Sequence, residues 1–382
     1  MMGMRIKTDW ILFGVVAALV CFGLVMVYSA SSVMAAVKLG GDSTHFFVRQ
    51  LVWAVVSFCV LMYFKRQDYR RMKTPVWAFT GLGVVLILQV AVYFADPRTH
   101  RWFRVSGLGS LQPSEFAKPA LALFLAYFVC LHQRAINQRQ AIAPVALALA
   151  VVGVTVGMGD LGTAIVLVVP AAVVFYVAGL ERRYVIGALC VGLLFCGAFV
   201  VSKPYRLARI VGKFDPDYGL LDKIDPAGRI KNYVSQSLTT RDPGYQARQS
   251  RIAVGSGGVT GVGLMNGRQK ILYLPEAHTD FIYAVIGEEL GLFGCSAVLV
   301  GFLVIMWRGF SLFWIAPDDF GRYLALAVTS SIVIQALINM SVVLDMGPTK
   351  GIPLPMISSG GSSLLSTLMC LGMLMSVSGR AD

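Results

Sequence analysis

Residues 10 to 28 read WILFGVVAALVCFGLVMVY, nineteen consecutive positions without a charge. As an α-helix such a run is about 28 Å long, close to the ~30 Å hydrocarbon core of a bilayer. Arg5 and Lys7 precede it and Ser29-Ala30-Ser31 follows, a pattern with some likeness to a cleaved signal peptide. The run is too long for the apolar region of a signal peptide, so it is read as a first transmembrane helix.

The rest of the chain has the same character. Of 382 residues, 57% are hydrophobic and only 14% charged, a balance outside the soluble range. Further apolar stretches fall near 50–64, 76–94, 116–131, 142–157, 161–179, 185–201, 282–307, 323–344 and 363–379. The expectation is an all-α polytopic integral membrane protein of about ten helices, one membrane domain over 1–382. The seven cysteines lie inside apolar runs with no CxxC or Cys/His cluster, which argues for neither a disulfide framework nor a zinc site. No internal repeat is evident, which weakens an inverted-repeat transporter reading without excluding it.

Lys and Arg set the orientation. One alternate set of short connections carries fourteen of them and the other six, so the positive-inside rule places both termini in the cytoplasm. The net charge of +13 is then mostly topology and contact with anionic lipid. No clustered basic and aromatic pattern points to nucleic acid.

One connection breaks the alternation. Residues 202–281, on the deduced outer face between helices 7 and 8, form a long polar loop with twelve cations, among them Arg206 and Arg209. Long loops do not set topology, so this excess fits either an anionic partner or lipid headgroups. Around Gln246, Gln249, Ser256 and Gly257 the loop is rich in glycine, which suits backbone N–H groups approaching a phosphate but equally suits a flexible segment.

The loop ends Tyr-Leu-Pro-Glu-Ala-His-Thr-Asp-Phe, placing Asp280 at the mouth of the eighth helix. It is either a helix cap or a general base, with Glu276 and His278 near enough in sequence to relay a proton or to serve structure alone. Other charges fall inside apolar spans, where they must be paired or face a wet cavity. Glu115 and Lys118 share one helical face, Asp160 precedes Leu161-Gly162-Thr163, and Glu288 and Glu289 follow Asp280 by two turns and more. A Lys118 pair with Asp160 or a glutamate is expected to be structural. Three prolines and several glycines from Gly347 to Ser363 predict a stiff re-entrant path walling a cavity, with Lys350 free for an anion or paired to Asp345. Trp102, between Arg101 and Arg104, reads as an interfacial belt residue or as a sugar or phosphate contact.

Taken together, SGLGSLQPSEFAK at 106–118, Asp160 to Ala164, Gly244 to Gly263, YLPEAHTDFIYAVIGEELG at 273–291 and Pro348 to Ser363 resemble the SEDS family of peptidoglycan glycosyltransferases. Tyr205-Arg206 with Arg209, Phe214-Asp215-Pro216 and Gly244-Tyr245-Gln246 look more like its division branch than its elongation branch. Gly159 stands where the family usually has Pro, and Ser359 where it often has Tyr. The resemblance implies polymerisation of lipid II, a disaccharide-pentapeptide on undecaprenyl pyrophosphate, on the outer face of the bacterial cytoplasmic membrane. It implies Asp280 as the catalytic base, Trp102 as a substrate contact, and a class B penicillin-binding protein with other divisome or elongasome proteins as partners. Arg206, Arg209 and Lys350 are candidates for the pyrophosphate, where a divalent cation such as Mg or Mn is also compatible. Gln246, Gln249, Ser256, Gly257 and Ser358 complete the substrate-binding candidates. A lipid II flippase or a non-catalytic scaffold recruiting a transpeptidase remain the alternatives. The outer position of the polar residues favours the enzyme, since alternating access calls for charges on the cytoplasmic side as well.

Overall fold

The computed structural model describes residues 8–38, 42–96, 99–105, 109–202, 204, 206–208, 211, 225, 244–271, 273–347 and 350–381. Its helices in chain order are α1 (Trp10–Lys38), α2 (His45–Arg66), α3 (Pro75–Ala95), α4 (Pro113–His132), α5 (Arg139–Gly159), α6 (Leu161–Val177) and α7 (Arg182–Val201). After the long loop come α8 (Tyr245–Gly257), α9 (Ile282–Ile315), α10 (Asp319–Val343) and α11 (Gly361–Ser378). Among the described residues nine helices are long and apolar enough to cross a membrane. The fifth expected further span appears as the shorter apolar α6, of 17 residues.

Local chemistry sets the helix starts. Pro75 and Pro113 sit in the first turns of α3 and α4, where the missing N–H has no intrahelical role. The Thr74 hydroxyl accepts from Trp77 N, and Asp318 accepts from Gly321 N at the start of α10. A hairpin of β1 (Phe103–Val105) and β2 (Gly109–Leu111) pairs Phe103 with Leu111 and Arg104 with Ser110.

The bundle has a centre and a rim. Helices α4, α10 and α11 are buried over most of their length, whereas α7 has no buried residue among those described and exposes Leu193, Leu194 and Phe195. Apolar residues exposed on rim helices are what a protein solvated by lipid requires. The central helices are also the polar ones. Glu115 and Lys118 of α4 pair at 2.5 Å, the Lys118 ammonium donates to Gln335 of α10 at 2.7 Å, and Ser366 of α11 donates to Glu115 at 3.4 Å. Lys118 therefore takes the glutamate partner and not Asp160, so its charge is matched inside the bundle.

Two ties measure the bundle's height. Asp9, just before α1, pairs with Arg308 of α9 at 2.7 Å, and Ser29 of α1 donates to Glu289 of α9 at 2.6 and 2.7 Å. The roughly 20 residues between Asp9 and Ser29 span about 30 Å, the thickness of a hydrocarbon core. Glu289 and Arg308, nineteen positions apart on α9, are separated by a similar height. Glu288 and Glu289, expected as charges inside an apolar span, are bound there by the segment after α8, Glu289 by Lys270 and Glu288 by the N–H groups of Arg268 and Gln269.

The reason is a break in α9. Gly291 adopts φ 62° and ψ −156°, dividing the helix into residues 282–290 and 292–315. The backbone groups freed at the break are satisfied by the segment after α8. Val262 N and Gly263 N donate to the carbonyls of Glu288 and Glu289 at 3.0 Å, while Leu292 N donates to Gly258 O at 3.0 Å. In this structure the glycine-rich stretch serves the break in α9 with its backbone N–H groups. Its first half is the helix α8, with Gly257 against the backbone of Gly287 and Glu288, and its second half repairs α9.

Candidate functional site

Asp280 lies in the turn between the loop and α9. The turn is closed by Thr279 N and Phe281 N donating to Glu276 O, each at 3.2 Å, and it holds Glu276 at φ 58°. A left-handed glutamate is strained by on the order of 1 to 2 kcal/mol, a feature that clusters at functional sites. Asp280 is not the helix cap. Position is taken by Phe281, whose side chain makes no capping bond, and the Asp280 carboxylate points instead toward Gly351. A Cβ at Gly351 would collide with Asp280 Oδ2, so only glycine permits the approach.

The re-entrant connection that brings Gly351 there is laced on every side. Ile352, Leu354, Met356 and Ile357 are buried, and the backbone of Met356 and Ile357 lies against Gly23 of α1. Asn339 Nδ2 of α10 donates to Ile352 O at 2.7 Å and to Asp280 O at 2.8 Å. Gln335 Nε2, one turn away on α10, donates to Pro353 O at 2.8 Å. Ser358 Oγ donates to Thr279 O at 2.6 Å and accepts from Leu354 N at 2.8 Å. Gln50 of α2 holds Ser358 O and Gly360 N. These bonds make Ser358 a brace between the two loops, with its hydrogen already committed to the protein.

The cations near Asp280 are organised by Asp160. Its Oδ1 accepts from Gly162 N at 3.0 Å and its Oδ2 from Thr163 Oγ1 at 2.8 Å, capping α6. The same carboxylate pairs with Lys350 at 3.0 Å and with Arg101. Lys350 therefore meets Asp160, while Asp345 pairs with Arg251 at 3.2 Å. Burial would raise the Asp160 carboxyl, but Arg101 and Lys350 outweigh it and hold it down at about 2. At Asp280 the balance is reversed. Desolvation, with the negative charge of Glu276 added, pushes its carboxyl up to about 7 against the pull of Arg101 and Lys350. A carboxyl poised near neutrality beside two fixed cations is equipped to take a proton while negative charge develops nearby.

Not every candidate gathers here. Trp102 is half-buried next to Arg101, between the α3 end and the hairpin. Arg206 donates to Phe199 O at 3.1 Å beyond the end of α7, and Arg209 lies outside the described residues. Gln246, Gln249, Ser256 and Gly257 lie on α8, which packs on α9 two turns past Asp280. Glu289 is bound by Lys270 at 2.5 Å as well as Ser29, and Glu288 by the backbone N–H groups of Arg268 and Gln269. Missed in the sequence were Arg101, Asn339 and Gln335. Arg101 adjoins Trp102, and Gln335 and Asn339 stand four apart in an apolar span, the spacing of one helical face.

Comparison with known proteins places these features in context. The family model described as cell cycle protein, covering FtsW, RodA and SpoVE, matches residues 9–382. A Geobacter metallireducens protein named probable peptidoglycan glycosyltransferase FtsW is 37% identical over 98% of this chain and 95% of its own length. Stage V sporulation protein E of Bacillus subtilis is 36% identical, covering 98% of each. Among solved structures, a chain from a peptidoglycan synthase complex that coordinates polymerization and crosslinking superposes with a TM-score of 0.73 at 26% identity, covering 98% of both chains. The rod shape determining protein RodA of Thermus thermophilus superposes with a TM-score of 0.68 at 25% identity, again over 98% of each.

Proposed function

The chain belongs to the FtsW, RodA and SpoVE family of cell cycle proteins, and from that premise we propose that it polymerises lipid II with Asp280 as general base. It is a multi-pass membrane glycosyltransferase of cell wall synthesis. The observation that carries the role of Asp280 is its deep-set carboxyl, pushed up to about 7 and facing Gly351 beside the Arg101, Lys350 and Asp160 cluster.

The chemistry follows from the reaction. A sugar hydroxyl of the acceptor attacks the anomeric carbon of the donor, its proton passes to Asp280 Oδ, and the bond to the lipid pyrophosphate breaks. The leaving group gains negative charge, which Lys350 and Arg101 meet from fixed positions because Asp160 holds them before substrate arrives. A divalent cation carried with the pyrophosphate would add further positive charge. Among the described residues no group of three His, Cys, Asp or Glu side chains could hold one. Trp102, next to Arg101, offers an apolar face to a sugar. The cytoplasmic membrane and a class B transpeptidase are the compartment and partner that fit this reading, the latter supported by the likeness to a synthase complex.

Asp280→Asn in purified protein, assayed with lipid II and the partner transpeptidase, is expected to abolish glycan polymer while partner binding and thermal stability persist. Polymer at the wild-type rate would exclude Asp280 as the base. Lipid II translocation in proteoliposomes without polymerisation would instead favour a flippase.

A further inference from the structure

The segment that repairs α9 leaves beside it a cleft of about 320 Å³, lined by Ser256, Val262, Asn266, Arg268 and Glu288. Opposite charges meet there. Glu288 Oε1 accepts from Arg268 N at 2.7 Å and Gln269 N at 3.1 Å, whereas among the described residues Oε2 accepts only one longer bond, from Gln269 N at 3.2 Å. Lys270 is taken by Glu289, and among the described residues no cation lies within ion-pair distance of Glu288. Arg268 is exposed, and among the described residues its guanidinium meets no carboxylate.

The level of the cleft narrows what fills it. The tie of Glu289 to Ser29 sets this region about 30 Å from the pair of Asp9 and Arg308, about one hydrocarbon-core thickness away. Around the cleft Val259, Val262, Leu264 and Met265 are all more than 40% exposed, an apolar rim suited to lipid at that depth and unfavourable in water. A molecule reaching the cleft from the bilayer arrives headgroup first.

We propose that this cleft binds the headgroup of an aminophospholipid, with its phosphate against Arg268 and Asn266 and its primary ammonium against Glu288. A guanidinium suits a phosphate, and a buried carboxylate with acceptor capacity to spare suits a group with N–H donors. An anionic headgroup without an amine would leave the Glu288 carboxylate without a cation, and a trimethylated one has no N–H to give. Glu288 lies about 12 Å farther along the helix than Asp280, so the site does not depend on the reaction proposed above.

The test is native mass spectrometry of the purified full chain titrated with phosphatidylethanolamine, phosphatidylcholine and phosphatidylglycerol of matched acyl chains. Phosphatidylethanolamine is expected to bind about tenfold tighter than either, the worth of one charge-assisted hydrogen bond. Glu288→Gln should erase the preference over phosphatidylcholine, and Arg268→Gln should weaken phosphatidylethanolamine by a similar factor. Ser256→Phe fills the cleft without changing a charge and should remove the preference at unchanged melting temperature, which keeps the test decisive if Glu288→Gln fails to fold. Equal affinity for the three lipids, tighter binding of phosphatidylglycerol, or an undiminished preference in Ser256→Phe would each overturn the assignment.

Discussion

Burial disfavours the charged form of both Asp160 and Asp280, yet the two carboxyls end on opposite sides of the ordinary aspartate value because only Asp160 touches the cations directly. Lys350 acts on Asp280 at longer range, lowering it, while Glu276 raises it. For a base, only the ionised form works, so polymerisation should fall as the pH drops through about 7, approaching tenfold per unit well below it. Removing Lys350 takes away a stabiliser of the carboxylate. Lys350→Gln should therefore lower the rate and also move the acidic limb of the pH profile to higher pH, where a residue that merely contacted substrate would leave that limb in place. Steady-state polymerisation between pH 5.5 and 9 separates the two; a limb that stays put or moves down would show that Lys350 does not act on Asp280.

At the scale of elements, α9 and the segment after α8 are one unit, because the break at Gly291 strands backbone groups that residues 258–263 satisfy. Near the membrane such groups have no water to turn to, so the break is stable only while that segment stays docked. Gly291 has φ 62° and faces Val259 O and Gly261 N so closely that a Cβ would overlap both. Gly291→Ala adds left-handed strain of about 1 to 2 kcal/mol and a backbone clash besides. The expected outcome is a fall in melting temperature in detergent and faster proteolysis within residues 258–271, with the cytoplasmic half of α9 unaffected. A melting temperature equal to wild type would mean that the segment is not what holds the break. The Asp280 turn opens directly onto this half-helix, so the same variant should lower polymerisation without touching a charged residue.

Across the whole molecule, what the sequence made legible follows from what it encodes locally. Apolar runs of about 20 residues give spans without knowledge of neighbours, and so the apolar helices lie near where composition put them, whereas the polar α8 falls in the stretch read as loop. Asp280, Asp160 and Lys350 stood out because a charge at the edge of an apolar run needs a reason. Their partners did not, since the meeting of Arg101 with Asp160, or of Gln335 with Lys118, joins residues 59 and 217 positions apart, a distance no local pattern spans. The glycines of residues 255–263 left more than one reading open for the same reason: a backbone that approaches a phosphate and one that approaches another backbone need the same residue. A further long-range tie joins Ser29, Lys270 and Glu289, whose ion pair at 2.5 Å is almost wholly excluded from solvent. It fastens the outer loop to the top of α1, as Asp9 and Arg308 fasten the other end. Lys270→Met leaves the Glu289 carboxylate buried without a cation, a loss of about 3 to 5 kcal/mol, whereas Lys270→Met with Glu289→Leu removes both charges and should recover most of it. A double-mutant cycle on thermal unfolding in detergent measures the coupling. If Lys270→Met alone unfolds like wild type, the pair is not what closes the outer end, and the height drawn from Asp9 to Ser29 would lose its upper anchor.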